Sequence, residues 1–130
     1  MKERILIIED EVNISRLLKV NLISADFEVD IANDGEEALE KINKFCPDVL
    51  ILDIGIPKIT GWEICGKIKS DPKYRNILVI IITAFAQKSD KDRALSLGTD
   101  AFFSKPFEIQ TIIKKIKILL SERKGMEVKL

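Results

Sequence analysis

The sequence predicts an α/β fold: one doubly wound, five-stranded parallel sheet with helices on both faces. Three observations predict it. Short β-branched runs alternate five times with segments of helical period. Three of those runs are apolar without interruption, as strands covered on both faces must be. No Ser/Gly-rich linker, low-complexity tract or internal repeat divides the 130 residues, a length suited to a single core.

The continuous runs are Ile5-Leu6-Ile7-Ile8, Val49-Leu50-Ile51-Leu52 and Leu78-Val79-Ile80-Ile81-Ile82, which are assigned to the centre of the sheet. Glu28-Val29-Asp30-Ile31 alternates, so one of its faces is solvated and it reads as an edge strand; Ala101-Phe102-Phe103 is a short fifth strand. Between the first two strands, Ile14, Leu17, Leu18, Leu22 and Ala25 recur at spacings of three and four, a helical stripe that Asn13 is placed to cap. Asp34-Gly35-Glu36-Glu37 opens the second helix as an acidic variant of the capping box, suited to the positive end of the helix dipole. Gly61, Ile64, Cys65 and Ile68 mark the third helix, and Gly98 after Ala94-Leu95-Ser96-Leu97 is a left-handed stop for the fourth. Ile109, Ile112, Ile113, Ile116 and Leu120 carry the fifth. Right-handed crossovers then bring the C-terminal ends of all the strands to one edge, where ligands of open α/β sheets bind.

Composition narrows the chemistry. Basic and acidic residues balance at 21 each, so no global field favours nucleic acid or an anionic membrane, and partners must be selected by local surface. The longest apolar run, Ile77 to Thr83, cannot span a bilayer, and the N-terminus leads directly into a strand, which points to the cytoplasm. There is no histidine, and Cys46 and Cys65 stand outside any metal-binding spacing; both are expected to be inert, reduced thiols on packed surfaces. Lys114, Lys115 and Lys117 read as the solvated face of the last helix.

At the ligand edge stand Glu9-Asp10 after the first strand, Asp53 after the third, Thr83 after the fourth and Lys105-Pro106 after the fifth. Two carboxylates roughly 5 Å apart at an effective dielectric near 20 repel by about 3 kcal/mol, so the cluster calls for a cation. All-oxygen ligation with retained waters suits Mg²⁺, and Lys105 adds a second positive charge, together enough to hold a phosphoryl group. With no activated Ser, Cys or His, the nucleophile for phosphoryl transfer would be a carboxylate, and Asp53 at the end of a central strand suits that role.

Four segments, Ile7-Ile8-Glu9-Asp10-Glu11, Leu52-Asp53-Ile54-Gly55-Ile56-Pro57 with Gly61, Ile82-Thr83-Ala84 and Lys105-Pro106-Phe107, together resemble the ordered signature of a response-regulator receiver domain, from about Glu3 to Glu122. The resemblance implies a flavodoxin-like (βα)5 sheet of order 2-1-3-4-5, a strand order that the chemotaxis receiver itself exemplifies. It implies a receiver domain over residues 1–122 and a short tail over 123–130. It implies that Asp53 accepts a phosphoryl group from a histidine kinase or phosphotransfer protein. Asp10, Asp53 and the Gly55 backbone carbonyl would bind Mg²⁺ directly, with Glu9 acting mostly through water. Thr83 would donate to one phosphoryl oxygen, Lys105 would pair with another, and the Lys105-Pro106 bond would be cis. Thr83 and the aromatic at Phe102 would carry a switch read on the face of the fourth helix, fifth strand and fifth helix. The module would be a signalling switch rather than an enzyme, a monomer or a weak phosphorylation-dependent dimer. It would act on an unidentified output partner or domain and contact neither nucleic acid nor membrane directly.

The match has departures. Glu9 stands where the family often has aspartate, Gly55 has no side chain where many receivers carry one, and Phe85 is bulky and apolar. Phe85 is expected to slow hydrolysis of the aspartyl phosphate by limiting the approach of water, and Gly55 to oppose it by opening space. Rival readings are a small phosphatase or phosphotransferase with an aspartate nucleophile and a phosphorylation-independent interaction module. The first lacks its Asp-x-Asp pair, because Ile54-Gly55 follows Asp53, and the second would not need the acidic cluster and Lys105. Neither GxGxxG nor a P-loop occurs to support a nucleotide site. The ten residues from Ser121 to Leu130 are too few for an output domain, so the reading is a stand-alone receiver or a segment of a longer protein.

Overall fold

A computed structural model describes residues 2–84 and 87–129, with side chains as far as Arg123. The elements run β1 (Arg4–Ile8), α1 (Val12–Ser24), β2 (Glu28–Ala32), α2 (Gly35–Phe45), β3 (Val49–Asp53), α3 (Gly61–Ser70), β4 (Leu78–Thr83), α4 (Lys88–Ser96), β5 (Ala101–Ser104) and α5 (Ile109–Lys129). The strands form one parallel sheet of order β2-β1-β3-β4-β5.

Strand periodicity divides the core in two. Leu6, Ile8, Leu50, Leu52, Val79 and Ile81 face one layer with Ala38 and Ile42 of α2 and Ile64 and Ile68 of α3. Ile5, Ile7, Val49, Ile51, Ile80 and Ile82 face the other, with Leu18 and Leu22 of α1 and Ile112, Ile113 and Ile116 of α5. Both faces of the central strands are therefore dry, and this is why their sequences show no alternation. β2 lies at the edge, where only Ala32 is fully buried and Lys41 reaches Asp30 at 3.2 Å.

Three expectations need correction. Asn13 does not cap α1; it lies within the helix, whose N-cap is Glu11. The Glu11 carbonyl already accepts from the Ile14 and Ser15 amides, so the helix starts before Asn13 can cap it. Of the predicted stripe, Ile14, Leu18, Leu22 and Ala25 pack against the core, joined by the buried Ser15, while Leu17 is 56% exposed. The polar member is accommodated because its hydroxyl donates to the Val12 carbonyl at 3.2 Å. Cys46 is exposed rather than packed: it is the left-handed C-cap of α2, with φ 53°, and only Cys65 is buried.

Other local signals act as expected. The Asp34 carboxylate accepts from the Glu37 amide at 2.8 Å, although Glu37 reaches back to Asn33 rather than to Asp34 itself. Gly98 ends α4 with φ +80°. Thr60 caps α3, accepting from the Glu63 amide at 3.2 Å. Thr60→Ala is expected to lower stability by about 1 kcal/mol, read as a shifted urea midpoint with unchanged slope.

Candidate functional site

The strand ladders deliver the acidic and basic groups to one edge. The Glu9 amide donates to the Ala32 carbonyl, which extends the β1–β2 pairing one residue and buries Glu9 completely; Asp10 follows in the open. Asp53 closes β3 and is 5% exposed, and its Oδ1 accepts from the Gly55 amide at 3.1 Å. Oxygen atoms of Glu9, Asp10 and Asp53 lie within 4.8 Å of one another. Across the sheet, the Lys105 amide donates to the Thr83 carbonyl at 2.8 Å, and the Lys105-Pro106 peptide is cis. The Lys105 ammonium, Nζ, then sits 2.6 Å from Glu9 Oε1, 2.9 Å from Asp53 Oδ2 and 3.3 Å from Glu11 Oε1.

Charge in this pocket is unbalanced. Burial is the main force pushing the Glu9 carboxyl up to about 8; the adjacent Asp53 carboxylate pushes the same way, and Lys105 only partly opposes them. Burial alone would lower the Lys105 ammonium, but the close carboxylates of Glu9 and Asp53 outweigh it and hold Lys105 above its ordinary value. Although Glu9 Oε1 is at ion-pair distance from Lys105, it is buried and takes no directed hydrogen bond. An orphaned buried oxygen beside two further carboxylates is a donor set suited to a hard divalent cation.

Two glycines fix how the loop after Asp53 packs. A Cβ on Gly61 would lie 2.6 Å from Ile54 Cα and 2.8 Å from the Asp53 carbonyl oxygen, so only glycine lets α3 begin this close to the end of β3. A Cβ on Gly35 would lie 2.4 Å from the Ile59 carbonyl oxygen, and the Gly35 amide donates to the Pro57 carbonyl. Lys58, with φ 71°, adds contacts of 3.4 Å to Asp34 and Glu36. The loop after Asp53 is thus fastened to the start of α2.

Of the residues singled out from sequence, Glu9, Asp10, Asp53 and Lys105 come together, and Gly55 joins them through its amide. Thr83 is fully buried at the end of β4, opposite Ser104. Phe102 is partly buried and packs against the α2/α3 layer. Phe85 lies outside the described residues. Glu11, Gly35 and Lys58 escape a reading of the sequence as site residues. Glu11 continues the acidic run after β1, a signal that could have found it, whereas nothing local marks Lys58 or the loop contact of Gly35. Trp62 is partly buried, with the Arg93 guanidinium 4.6 Å from its ring centre.

A doubly wound sheet that gathers carboxylates and an ammonium at its C-terminal edge defines an α/β domain organised around an acidic pocket. The chain belongs to the response regulator receiver domain family, whose sequence model matches residues 5–117, and it is the receiver domain of a two-component response regulator. It is 35% identical over 125 residues to the response regulator ArlR of Staphylococcus aureus strain Mu50, covering 96% of this chain and 56% of that protein. The chain therefore spans about half the length of the curated relatives it matches. Among solved structures, a CheY-like receiver domain protein from Methanospirillum hungatei JF-1 superimposes with TM-score 0.90 at 28% identity, covering 97% of this chain and 99% of that one. The receiver domain of a signal transduction histidine kinase from Syntrophus aciditrophicus gives TM-score 0.84 at 31% identity, covering 92% and 91%. Among the described residues, no helix is long and apolar enough to cross a membrane.

Proposed function

We propose that Asp53 accepts a phosphoryl group, with Mg²⁺, from the phosphohistidine of a kinase or phosphotransfer protein, and that the modification switches the α4/β5/α5 face. The observation that carries this reading is the convergence of the Glu9, Asp10 and Asp53 oxygens within 4.8 Å beside the Lys105 ammonium. Asp10, Asp53 and the Gly55 carbonyl would hold the metal directly, with Glu9 acting through water. When bound, the metal neutralises carboxylate and phosphoryl oxygens so that an anionic donor can approach. An Asp53 oxygen attacks phosphorus as the donor's P–N bond breaks, and the imidazole leaves with the bonding pair. Lys105 stays fully charged throughout and pairs with the incoming phosphoryl group, while the Thr83 hydroxyl donates to another of its oxygens.

The packing of α4 supports a switch on that side. Among the described residues of this helix, Ala94 alone has a buried side chain, and Leu95 is 74% exposed, so little apolar contact anchors it. Moving a two-state element from 1:99 to 99:1 takes about 5.5 kcal/mol, within reach of a few charge-assisted hydrogen bonds. Thr83 and Phe102 would transmit the change to an output partner or domain, with the protein acting in the cytoplasm as a signalling switch.

Intact-mass measurement after incubation with acetyl phosphate and Mg²⁺ tests the proposal. The wild type should gain one phosphoryl group, and neither Asp53→Asn nor EDTA-treated wild type should gain any. An unmodified wild type, or a modified Asp53→Asn, overturns it.

A further inference from the structure

Glu11 stands at the N-cap of α1 but makes no side-chain cap to its own helix. A carboxylate in that position ordinarily turns back to accept a free amide of the first turn. Here it turns outward, and its Oε1 meets the Lys105 ammonium, 94 positions away, at 3.3 Å. The Lys105 ammonium donates to Asp53 Oδ2 and to Glu11 Oε1, and it lies at ion-pair distance from Glu9 Oε1 without a directed hydrogen bond to it. Glu9 and Asp53 are buried, whereas the Glu11 side chain is 61% exposed and its contact is the longest of the three. Glu11 is also outside the group of oxygens that converge as a cation cluster.

We infer that Glu11 is a positioning residue for Lys105: it accepts one of the ammonium's two directed hydrogen bonds in the resting pocket and releases it when a phosphoryl group enters. The inference rests on the function proposed above and deepens it. An entering phosphoryl group needs a donor from Lys105, and the solvated Glu11 contact is the one given up at least cost, since solvent replaces the lost partner. Glu11 therefore competes with the phosphoryl group, and removing its reach favours the occupied pocket.

Beryllofluoride, a phosphoryl mimic, provides the test by isothermal titration calorimetry with saturating Mg²⁺ on wild type, Glu11→Gln and Glu11→Asp. Glu11→Asp keeps the charge but shortens the side chain by one methylene, so it separates reach from charge. Both variants should bind beryllofluoride about three- to fivefold more tightly than wild type, the range an exposed ion pair permits. The affinity of Glu11→Asp for Mg²⁺ alone should match that of wild type, a split that a merely structural role would not produce. If Glu11→Asp binds the mimic like wild type, if neither variant changes, or if its Mg²⁺ affinity rises equally, the positioning role is wrong. If the wild type binds no beryllofluoride, the proposed function fails and this inference falls with it. A wild type that binds beside unaltered variants removes the inference alone.

Discussion

Glu9→Gln should stabilise the metal-free protein at pH 8 while weakening Mg²⁺ binding by about tenfold or more. The carboxyl is completely buried, and its pKa is raised to about 8, chiefly by burial and then by Asp53. In the unfolded chain the same group ionises near 4.5. Between those values the folded protein keeps a proton that the unfolded chain has released, so metal-free stability falls as pH rises from about 4.5 through about 8. That slope is opposite to the one produced by carboxylates with depressed pKa values. Glutamine has no charge to bury, so the variant should lose the slope and be the more stable protein at the alkaline end. It also cannot supply the negative charge that favours a cation, and the loss of one supporting group around a metal typically costs 10- to 100-fold, on the order of that expected here. Urea titrations at pH 5, 6.5 and 8, with and without Mg²⁺, measure both effects. Wild-type stability that rises across this range in the absence of metal, with Glu9→Gln running parallel to it, would contradict the argument.

The second large effect concerns shape. Gly61→Ala places a methyl group against Ile54 Cα and the Asp53 carbonyl, both backbone atoms that cannot turn aside as a flexible side chain would. Either α3 retreats and the Gly61 amide loses the Ile54 carbonyl, or the end of β3 moves and Asp53 moves with it. The expected cost is ~2–3 kcal/mol of stability. Because displacements near 1 Å cost on the order of a hundredfold in rate, acetyl phosphate should label the variant far more slowly even where it remains folded. Gly66→Ala, in the same helix, is the control: nothing lies within 4 Å of its Cβ, so it should gain up to about 1 kcal/mol from helix propensity and label normally. Equal behaviour of the two variants in thermal unfolding and in labelling would remove glycine geometry as the cause.

How much of the fold and site is legible in the sequence depends on whether a signal is local. β1, β3 and β4 can be read because burial on both faces leaves no polar residue inside them, and the site follows because Glu9, Asp10, Asp53 and Lys105 all sit just past or at strand ends. One position of α1 misleads because Leu17 looks more apolar than Ser15, yet the helix starts at Val12 and turns Ser15 inward and Leu17 outward. α4 offers little pattern, because a helix with one buried side chain has almost no stripe to read, and its capping box of Gln87 and Asp90 is hidden by an unusual cap residue. Gly35 is visible as the first residue of a helix but not as the seat of a loop, since Ile59 approaches it only in three dimensions. The pairing of Glu11 with Lys105 is invisible for the same reason.

Lys105 reaches Asp53 across 52 positions of chain and Glu11 across 94. A ribosome-bound chain that has released β1 and β3 but not yet β5 holds its acids without their neutralising lysine. If Asp53 accepts a phosphoryl group as proposed above, labelling requires β5 to be in place, and a chain halted before that strand is expected to stay unlabelled.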